Sequence, residues 1–387
     1  MEKEDQRNFL LAMVLMIALV LGYQKFFVEP AQKKYEAQQA AIEAETQAKT
    51  TDTGVVAVDQ LKPVEEALAD NPRIGFEGQG VDGSIRLAGA RIDDVSLHDY
   101  YLTVEKKQEV RLFRPENSEY GYFATYYWAS GGTLVAGRNS PWTVVSGDKL
   151  TPTSPIVLKL EGDGVTIERT VSLDENYMFT FTDKVTNTSD TARSFRAIGS
   201  IERFGDFKGF LEATDPGSSV STAAHMGLMG HTDGSLRLKK FNGLYKMKDI
   251  KGESADGTFP SSDGGWWGLS DKYWLGALIP QQDMFFAGLV DKRKLATGKD
   301  LELRTESASL DLAPGASATM ENRIFAGAKR YEVLKDYEKN LGIPNFEDAI
   351  DWGMLFFLTK PFFYALEWLS GIVGSFGLAI LAFTVLV

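Results

Sequence analysis

A long stretch of alternating apolar and polar residues, from Arg73 to about Phe325, constrains the fold of this chain more than any other feature. Val165 to Val171 alternates, Asp174 to Asn176 is rich in turn-forming residues, and Tyr177 to Val185 alternates again. A period of two places successive side chains on opposite faces of a strand, and Asn, Asp and Gly between such runs favour turns. The stretch therefore predicts a meander of antiparallel strands, each with one buried face.

The same pattern recurs through the rest of the stretch. It is found at Tyr120 to Trp128, Leu236 to Tyr245, Tyr273 to Ile279, Met284 to Asp291, Asp300 to Leu312 and Ala316 to Phe325. About sixteen short strands without interleaved helices predict a mostly β chain built on a large antiparallel sandwich, and no fixed repeat suggests a propeller. Lys329 to Leu341 then has apolar residues at three- and four-residue steps before Gly342, which predicts a helix.

The final stretch, residues 351–387, is apolar and rich in aromatic side chains. Lys360 and Glu367 are seven residues apart, close to two helical turns, so both charges share one face of a helix. This pattern predicts an amphipathic helix at a membrane surface, with aromatic rings at headgroup depth. The residues assigned to this interfacial helix are Trp352, Phe356, Phe357, Lys360, Pro361, Phe363 and Trp368.

An uncharged run from Gly377 to Val387 follows the amphipathic segment. It supplies roughly half of the ~20 residues that cross a bilayer. A helix that ended there would leave carbonyl groups unsatisfied in hydrocarbon, at a cost of several kcal/mol. We therefore expect these 387 residues to be the N-terminal portion of a longer membrane protein. The alternative is a buried C-terminal helix of a soluble protein.

A second apolar segment, Phe9 to Tyr23, lies near the N-terminus and is extended by Phe26 to Val28. No small-x-small cleavage site follows it, so an uncleaved transmembrane anchor over 9–28 is favoured over a signal peptide. Basic residues lie on both sides, so charge alone leaves its orientation open. Residues 29–72, rich in Ala, Gln, Glu and Lys, predict a stalk and linker. The candidate anchor residues are Phe9, Leu10, Leu15, Leu19 and Leu21.

Composition excludes several classes of function. The net charge of −12 and the lack of a basic stripe argue against a nucleic-acid partner. The chain has no Cys, which excludes disulfides and thiolate chemistry. Its three histidines are His98, His225 and His231, and the spacing of the last two fits no zinc motif. We therefore predict surface or loop histidines and no metal site.

No other motif supports catalysis. Gly264 to Gly268 reads GGWWG, which favours a tight entry into a core strand over a sugar-stacking site. Carboxylates such as Asp93, Asp94, Asp348 and Asp351 are expected to be solvated or to cap helices. The sequence contains neither a phosphate-binding loop nor a Gly-x-Ser-x-Gly elbow. The residues alone thus give no support to catalysis, and we expect that the protein is not an enzyme.

Short motifs along the whole chain resemble the bacterial YidC membrane protein insertases. They are Asp5-Gln-Arg-Asn8 before the anchor, Gly264-Gly-Trp266, Tyr273-Trp274 with Ile279-Pro280, the segment Tyr331 to Gly342, and Asp351-Trp-Gly with Lys360-Pro361, Trp368, Val373-Gly374 and Gly377. The order and spacing of these motifs match the family from end to end.

The resemblance implies an organisation for the chain. Residues 1–8 would be cytoplasmic, 9–28 the transmembrane anchor and 29–72 the stalk and linker. Residues 73–327 would form a periplasmic β super-sandwich of galactose-mutarotase-like fold, and 328–350 a helix and connector. The interfacial helix on the periplasmic surface would occupy 351–374, and 375–387 would begin the first core transmembrane helix.

The resemblance also implies a function in the bacterial inner membrane. Its members insert nascent membrane proteins and assist their folding, alone or with the Sec translocon and its accessory subunits, and they use no cofactor. Lipid would be a further partner, and the ribosome would be reached only through parts that are missing from this chain. The groove arginine of the family would follow Val387, so it is not in this chain.

Two other hypotheses remain open. One is a membrane-tethered periplasmic carbohydrate-binding or mutarotase-like protein, which would need an acid and a base in one cleft, with His225 and His231 as candidates. The other is a scaffold that docks translocon subunits through its sheet surface, which is compatible with the insertase hypothesis.

Overall fold

The computed structural model describes residues 61–205, 207–216, 224–246, 258–295, 298–353 and 355–386. The predicted cytoplasmic N-terminus, the transmembrane anchor and most of the stalk lie outside these described residues, and so do the five candidate anchor side chains. The described residues form two antiparallel sheets and several helices.

The first sheet has eleven strands within the described residues. The path β1-β2-β3-β5-β11-β18-β17-β14 forms its main order, while β4 pairs with β3, β6 with β5 and β19 with β11. Its strands are β1 (Arg73–Glu77), β2 (Val81–Arg86), β3 (Arg91–Tyr101), β4 (Glu109–Phe113), β5 (Tyr122–Ser130), β6 (Thr133–Ala136), β11 (Arg193–Phe204), β14 (Thr258–Ser261), β17 (Phe286–Leu295), β18 (Gly298–Ser307) and β19 (Leu310–Leu312).

The second sheet has nine strands in the described part of the chain, in the order β13-β12-β15-β16-β20-β10-β9-β8-β7. Its strands are β7 (Thr143–Ser146), β8 (Ile156–Gly162), β9 (Val165–Leu173), β10 (Met178–Asn187), β12 (Gly227–Thr232), β13 (Ser235–Lys240), β15 (Gly265–Ser270), β16 (Trp274–Ile279) and β20 (Ser317–Ala328). The predicted class, a mostly β chain built from antiparallel sheets, is confirmed.

Helices connect and follow the strands. They are α1 (Val64–Ala69), α2 (Phe207–Thr214), α3 (Phe241–Lys246), α4 (Tyr331–Leu341), a 3₁₀ turn (Phe346–Ala349), α5 (Phe356–Val373) and α6 (Phe376–Leu386). The predicted helix α4 is confirmed, and Gly342 ends it in the left-handed conformation with φ of 66°. Glycine is favoured there because it has no Cβ to clash.

The alternating pattern and the burial pattern agree most closely in β9 and β10. Arg169 of β9 pairs with Asp183 of β10, and every second residue of β9 is buried. Inter-sheet contacts close the sandwich: the Tyr126 hydroxyl donates to the Arg323 carbonyl at 3.2 Å, and the rings of Phe76 and Phe179 lie 5.0 Å apart. The core of the domain therefore lies between the two sheets.

A buried ion pair lies within this core. The Arg169 guanidinium donates two hydrogen bonds of 2.7 Å to the Asp183 carboxylate, and both side chains are fully buried. The Trp128 indole donates to the same carboxylate at 2.7 Å, and the guanidinium lies 4.6 Å from the Trp142 ring centroid. Buried charges are tolerated when they are paired and hydrogen-bonded, as they are here.

The GGWWG segment forms the start of β15, and its two tryptophans are fully buried. The Trp267 indole donates to the Leu289 carbonyl at 3.0 Å. Gly265 has φ of 136°, and a Cβ there would lie 2.0 Å from the His231 carbonyl oxygen. The core-strand interpretation of this motif is confirmed.

Two parts of the predicted pattern are wrong. The segment predicted as one strand, Leu236 to Tyr245, leaves the sheet at Lys240 and continues as helix α3. Phe241 and Leu244, three residues apart, both enter the core, and Phe241 stacks on Phe207 of α2 at 4.3 Å. Because α2 and α3 interrupt the strands, the expectation of no interleaved helices also fails.

The end of the predicted linker carries helix α1. Within it Ala67 is only 2% exposed. Asp70, directly after α1, accepts hydrogen bonds from Lys62 at 2.8 Å and from Asn117 at 2.6 Å. Glu65 pairs with Arg111 of β4 at 2.9 Å. Residues 61–72 therefore contact the sandwich directly.

Candidate membrane interface

The candidate site begins where β20 ends, because the chain passes there from the sandwich to its apolar helices. Leu334 and Tyr337 bury one face of α4 in the core, with exposed fractions of 0% and 4%. Phe346 of the 3₁₀ turn lies 5.3 Å from the Trp266 ring. Helix α4 and the 3₁₀ turn, together called the connector below, are thus fixed to the second sheet. The connector in turn determines the position of α5.

Aromatic rings join this connector to α5. Tyr331 of α4 lies 4.9 Å from Phe363 and 5.7 Å from Tyr364, both on α5. Trp352, just before α5, lies 5.3 Å from Phe363 and 6.1 Å from Tyr331. These four rings, Tyr331, Trp352, Phe363 and Tyr364, are called the aromatic cluster below. Edge-to-face pairs of this kind add about 0.5–1.5 kcal/mol each beyond their buried area.

A polar network holds the same face of α5. Lys360 of α5 donates to Glu347 at 3.0 Å and to Asp348 at 2.6 Å, both on the 3₁₀ turn. Glu347 also accepts from Lys335 at 3.0 Å and from the Tyr364 hydroxyl at 3.1 Å. Burial would raise the pKa of Glu347, but hydrogen bonds from Lys335 and Lys360 outweigh it and hold the pKa below its ordinary value. Glu347 therefore carries its negative charge at neutral pH and attracts the positive charge of Lys360 on α5.

Apolar side chains of α5 before and after the segment from Lys360 to Tyr364 are exposed. Trp368 and Ile372 are 69% and 62% exposed, and Phe356 is 47% exposed. Isolated exposed apolar residues are ordinary, but several large ones on one helix mark a surface that contacts lipid or protein.

Helix α6 folds back against α5 beyond Gly374, whose φ is 71°. The Phe362 and Phe383 rings meet at 5.4 Å, and Ala379 is buried between the helices. Among the described residues, no single helix passes a length and hydropathy test for crossing a membrane, but α5 and α6, which meet at a bend of 117°, pass it as a pair.

The structure divides the predicted interfacial residues into two groups. Trp352, Phe363 and Lys360 face the connector, in the aromatic cluster and the ion pairs. Phe356, Phe357 and Trp368 are exposed, as is Pro361 within α5. Sequence reasoning missed the partners on the connector, Tyr331, Lys335 and Glu347. The opposite charges of Lys335 and Glu347 were the feature of the sequence that could have indicated an ion-pair network at the connector.

A cleft of about 500 Å³ lies beside the connector. Tyr100, Tyr273 and Trp274 contribute aromatic surface to it, and Lys329 lines it together with Asp351. Burial lowers the pKa of Lys329 to about 8 despite the opposing charges of Asp271 and Asp351. The cleft is therefore amphipathic and contains both signs of charge.

His225 and His231 do not line this cleft. The prediction of surface or loop histidines is wrong for His231, whereas His225 lies in a loop just before β12, although it too is buried. They are 6% and 4% exposed, and His231 lies on β12. A ring nitrogen of His225 bonds to the Leu228 carbonyl at 2.9 Å, and one of His231 to the Asn345 amide at 2.8 Å. Burial lowers the pKa of both imidazoles. Both residues pack structurally, so the acid–base pair that a mutarotase requires is not assembled from them.

Taken together, these features define a large antiparallel β-sandwich domain joined through a fixed connector to a pair of apolar helices. A family model for the YidC periplasmic domain matches residues 73–365. The chain belongs to this YidC periplasmic domain family.

Similar proteins are named membrane protein insertase YidC. The membrane protein insertase YidC of Maricaulis maris (strain MCS10) is 34% identical over 99% of this chain and 64% of its own length. That of Caulobacter vibrioides (strain NA1000 / CB15N) is 35% identical, with the same coverage. The chain therefore spans just under two thirds of the curated relatives that it matches.

Solved structures are more distant. The crystal structure of YidC from Thermotoga maritima has a TM-score of 0.32 and 12% identity, and covers 82% of this chain and 69% of its own. A galactose mutarotase-like protein from Lactobacillus casei ATCC 334 has a TM-score of 0.39 and 10% identity, and covers 66% of this chain and all of its own.

Proposed function

We propose that this chain supplies the anchor, periplasmic domain and entry helix of an insertase for inner-membrane proteins, which also assists their folding. It would act on nascent membrane proteins, alone or with the Sec translocon. The names of the relatives support this function. The observation that carries it is α5, which is docked to the sandwich through Lys360 and exposes Phe356, Trp368 and Ile372 before and after the docked segment.

A helix that is held by polar contacts and exposes large apolar side chains suits the periplasmic surface of the inner membrane. Its exposed aromatic and aliphatic side chains would enter the headgroup and acyl boundary. The ion pairs and the aromatic cluster would keep the sandwich at a fixed height above it. Helix α6 would then begin the first core transmembrane helix, as proposed for residues 375–387.

An insertion assay tests the function. The full-length protein that contains this chain would be expressed in bacteria depleted of their own insertase, and insertion of a single-span reporter would be followed by protease protection. We expect restored insertion, and a lower rate when Trp368→Asp replaces an exposed aromatic side chain by a charge. Glu168→Gln, an exposed change on β9, is the matched control. No restored insertion at normal membrane levels of the protein would contradict the proposal.

Topology is tested separately. Because the chain has no Cys, single-cysteine variants report one position each. A membrane-impermeant maleimide applied to spheroplasts should label Glu161→Cys in the sandwich and spare Asn8→Cys. This result would support a cytoplasmic N-terminus and a periplasmic domain. The reverse labelling pattern would refute that orientation.

A further inference from the structure

A cluster of metal-ligating side chains lies on the first sheet, on three strands that pair side by side. Asp82 is on β2, His98 on β3 and Glu109 on β4. One potential ligand atom from each lies within 4.8 Å of the other two, and His98 Nδ1 is 3.6 Å from the nearest Glu109 oxygen. We propose that these residues form a binding site for a divalent transition-metal ion, with zinc as the best fit.

The geometry is close to that of a bound ion. Around tetrahedral zinc with bonds of about 2.0–2.1 Å, ligand atoms are about 3.3–3.4 Å apart. The separations in the cluster, 4.8 Å at most, exceed this value by no more than about 1.5 Å, which side-chain rotation can remove. One imidazole and two carboxylates leave a fourth position for water. Nitrogen and oxygen ligands together favour zinc over magnesium, which prefers six oxygens.

The backbone is irregular at this site. The β2–β3 register shifts between Gly83 and Ile85, next to Asp82. A Cβ on Gly83 would lie 2.0 Å from the Asp94 carbonyl oxygen, so the chain requires glycine there. The β3–β4 register shifts between Leu97 and Tyr101, the part of β3 that contains His98. Bulges re-aim side chains next to functional sites, and these two flank the ligands.

An orphaned oxygen gives an independent sign of a ligand. Asp82 Oδ1 is inaccessible to solvent and has no hydrogen-bond partner. An unsatisfied carboxylate oxygen costs free energy that a bound cation would recover. A nearby carboxylate, Glu77, is paired with Lys149 and is therefore engaged elsewhere.

The rest of the chain competes weakly for zinc. It has no Cys, and the other two histidines, His225 and His231, are buried with a ring nitrogen engaged. His98 is therefore the accessible imidazole of this protein, with its side chain 33% exposed. A single site per chain is expected. The sequence did not reveal it because the three ligands come from separate strands and match no short motif.

The test is a zinc titration of the tag-free, chelator-treated full chain in non-ionic detergent, followed by competition with a chromophoric indicator. We expect one equivalent of zinc with micromolar affinity. His98→Ala, and separately Glu109→Gln, should weaken binding at least about tenfold. His98→Cys should restore binding, because a thiolate is also a zinc ligand. Glu168→Gln on the other sheet is the matched control and should bind as the wild type does.

Magnesium and salt separate this site from general attraction to an acidic chain. Zinc binding should persist in excess magnesium and at raised ionic strength, because direct ligation is not screened as diffuse attraction is. Saturating zinc should also raise the midpoint of thermal unfolding by roughly 5 °C at a hundredfold excess over Kd. Unchanged affinity in both His98→Ala and Glu109→Gln would overturn the proposal. So would binding that magnesium abolishes.

Discussion

Replacing Glu347 by glutamine should loosen the start of helix α5 without unfolding the sandwich. The carboxylate accepts hydrogen bonds of about 3 Å from Lys335, Lys360 and Tyr364. Glutamine retains the shape and one acceptor oxygen but loses the charge. Hydrogen bonds to charged groups contribute about 1.5–3 kcal/mol against about 1 kcal/mol for neutral ones. The Lys335 side chain is 44% exposed, so solvent screens its share.

The net loss at α5 is therefore about 1.4 kcal/mol, most of it from Lys360, which keeps its bond to Asp348. This free energy corresponds to a tenfold change in an opening equilibrium. Hydrogen exchange, measured by mass spectrometry on the full chain in detergent, should show about tenfold faster exchange in residues 356–364. Exchange in β9 and β10 should not change. Glu161→Gln, which removes an exposed partner of Lys159, is the matched control.

A double-mutant cycle measures the interaction between Glu347 and Lys360 separately from their other contacts. Glu347→Gln combined with Lys360→Met should give a coupling free energy of about 1 kcal/mol. The sign of the pH dependence follows from the lowered pKa of Glu347. Its stabilisation is present above the carboxyl pKa of the unfolded chain and is lost as pH falls through the folded value. Wild type and Glu347→Gln should thus converge in acid. Exchange within twofold of wild type, with a coupling below about 0.3 kcal/mol, would refute this account of how α5 is held.

Three further predictions concern the sandwich. Asp183→Asn leaves the Arg169 guanidinium buried without a counter-charge, at a cost of about 3–5 kcal/mol, and should lower the thermal midpoint by at least about 6 °C. Replacing both partners by apolar residues should lower the midpoint less. Equal decreases for the single and the double replacement would contradict this prediction. Gly327→Ala places a methyl group 2.2 Å from a buried tyrosine ring and should cost about 1–3 kcal/mol in chemical denaturation, whereas a neutral effect would show that the ring can move. The folded pKa values of His225 and His231 are depressed, so the folded protein has its full stability above pH ~6.5 and loses stability as the pH drops below this value. The thermal midpoint should therefore decrease when the pH is lowered from 7.5 to 5.5. A midpoint that does not change would contradict the burial of neutral imidazoles.

Local pattern predicted the strands well where one face is buried and the other solvated. In β9, Val165 and Ile167 are buried while Glu168 is exposed, so the alternation was visible in the sequence. It failed at Leu236 and Leu238, where apolar residues alternate in β13 but are 37% and 41% exposed. Helix α3 comes directly after β13. Contacts of α3 with the core, rather than the intrinsic propensity of its residues, decide that this segment is helical.

The candidate interface was predictable in composition but not in orientation. Aromatic density marked the segment from Trp352 to Trp368 as a surface helix. Which side of α5 meets the sandwich depends on Glu347 and Tyr331, which lie earlier in the chain and contact it only in the folded structure. The burial of His225 likewise depends on tertiary structure, since its backbone N–H donates to the distant Asp351 carboxylate at 2.5 Å.

The central claim is that the sandwich holds α5 through Lys360 and the aromatic cluster while exposed apolar side chains of α5 enter lipid, and probe depth tests it most directly. An environment-sensitive fluorophore would be attached to Trp368→Cys, with Val104→Cys, 92% exposed in wild type, as the aqueous reference. In liposomes carrying the full chain, we predict a blue-shifted probe at position 368 that lipid-attached quenchers reach, and a probe at 104 that only water-soluble quenchers reach. Equal quenching of both probes by the water-soluble agent alone would contradict the account.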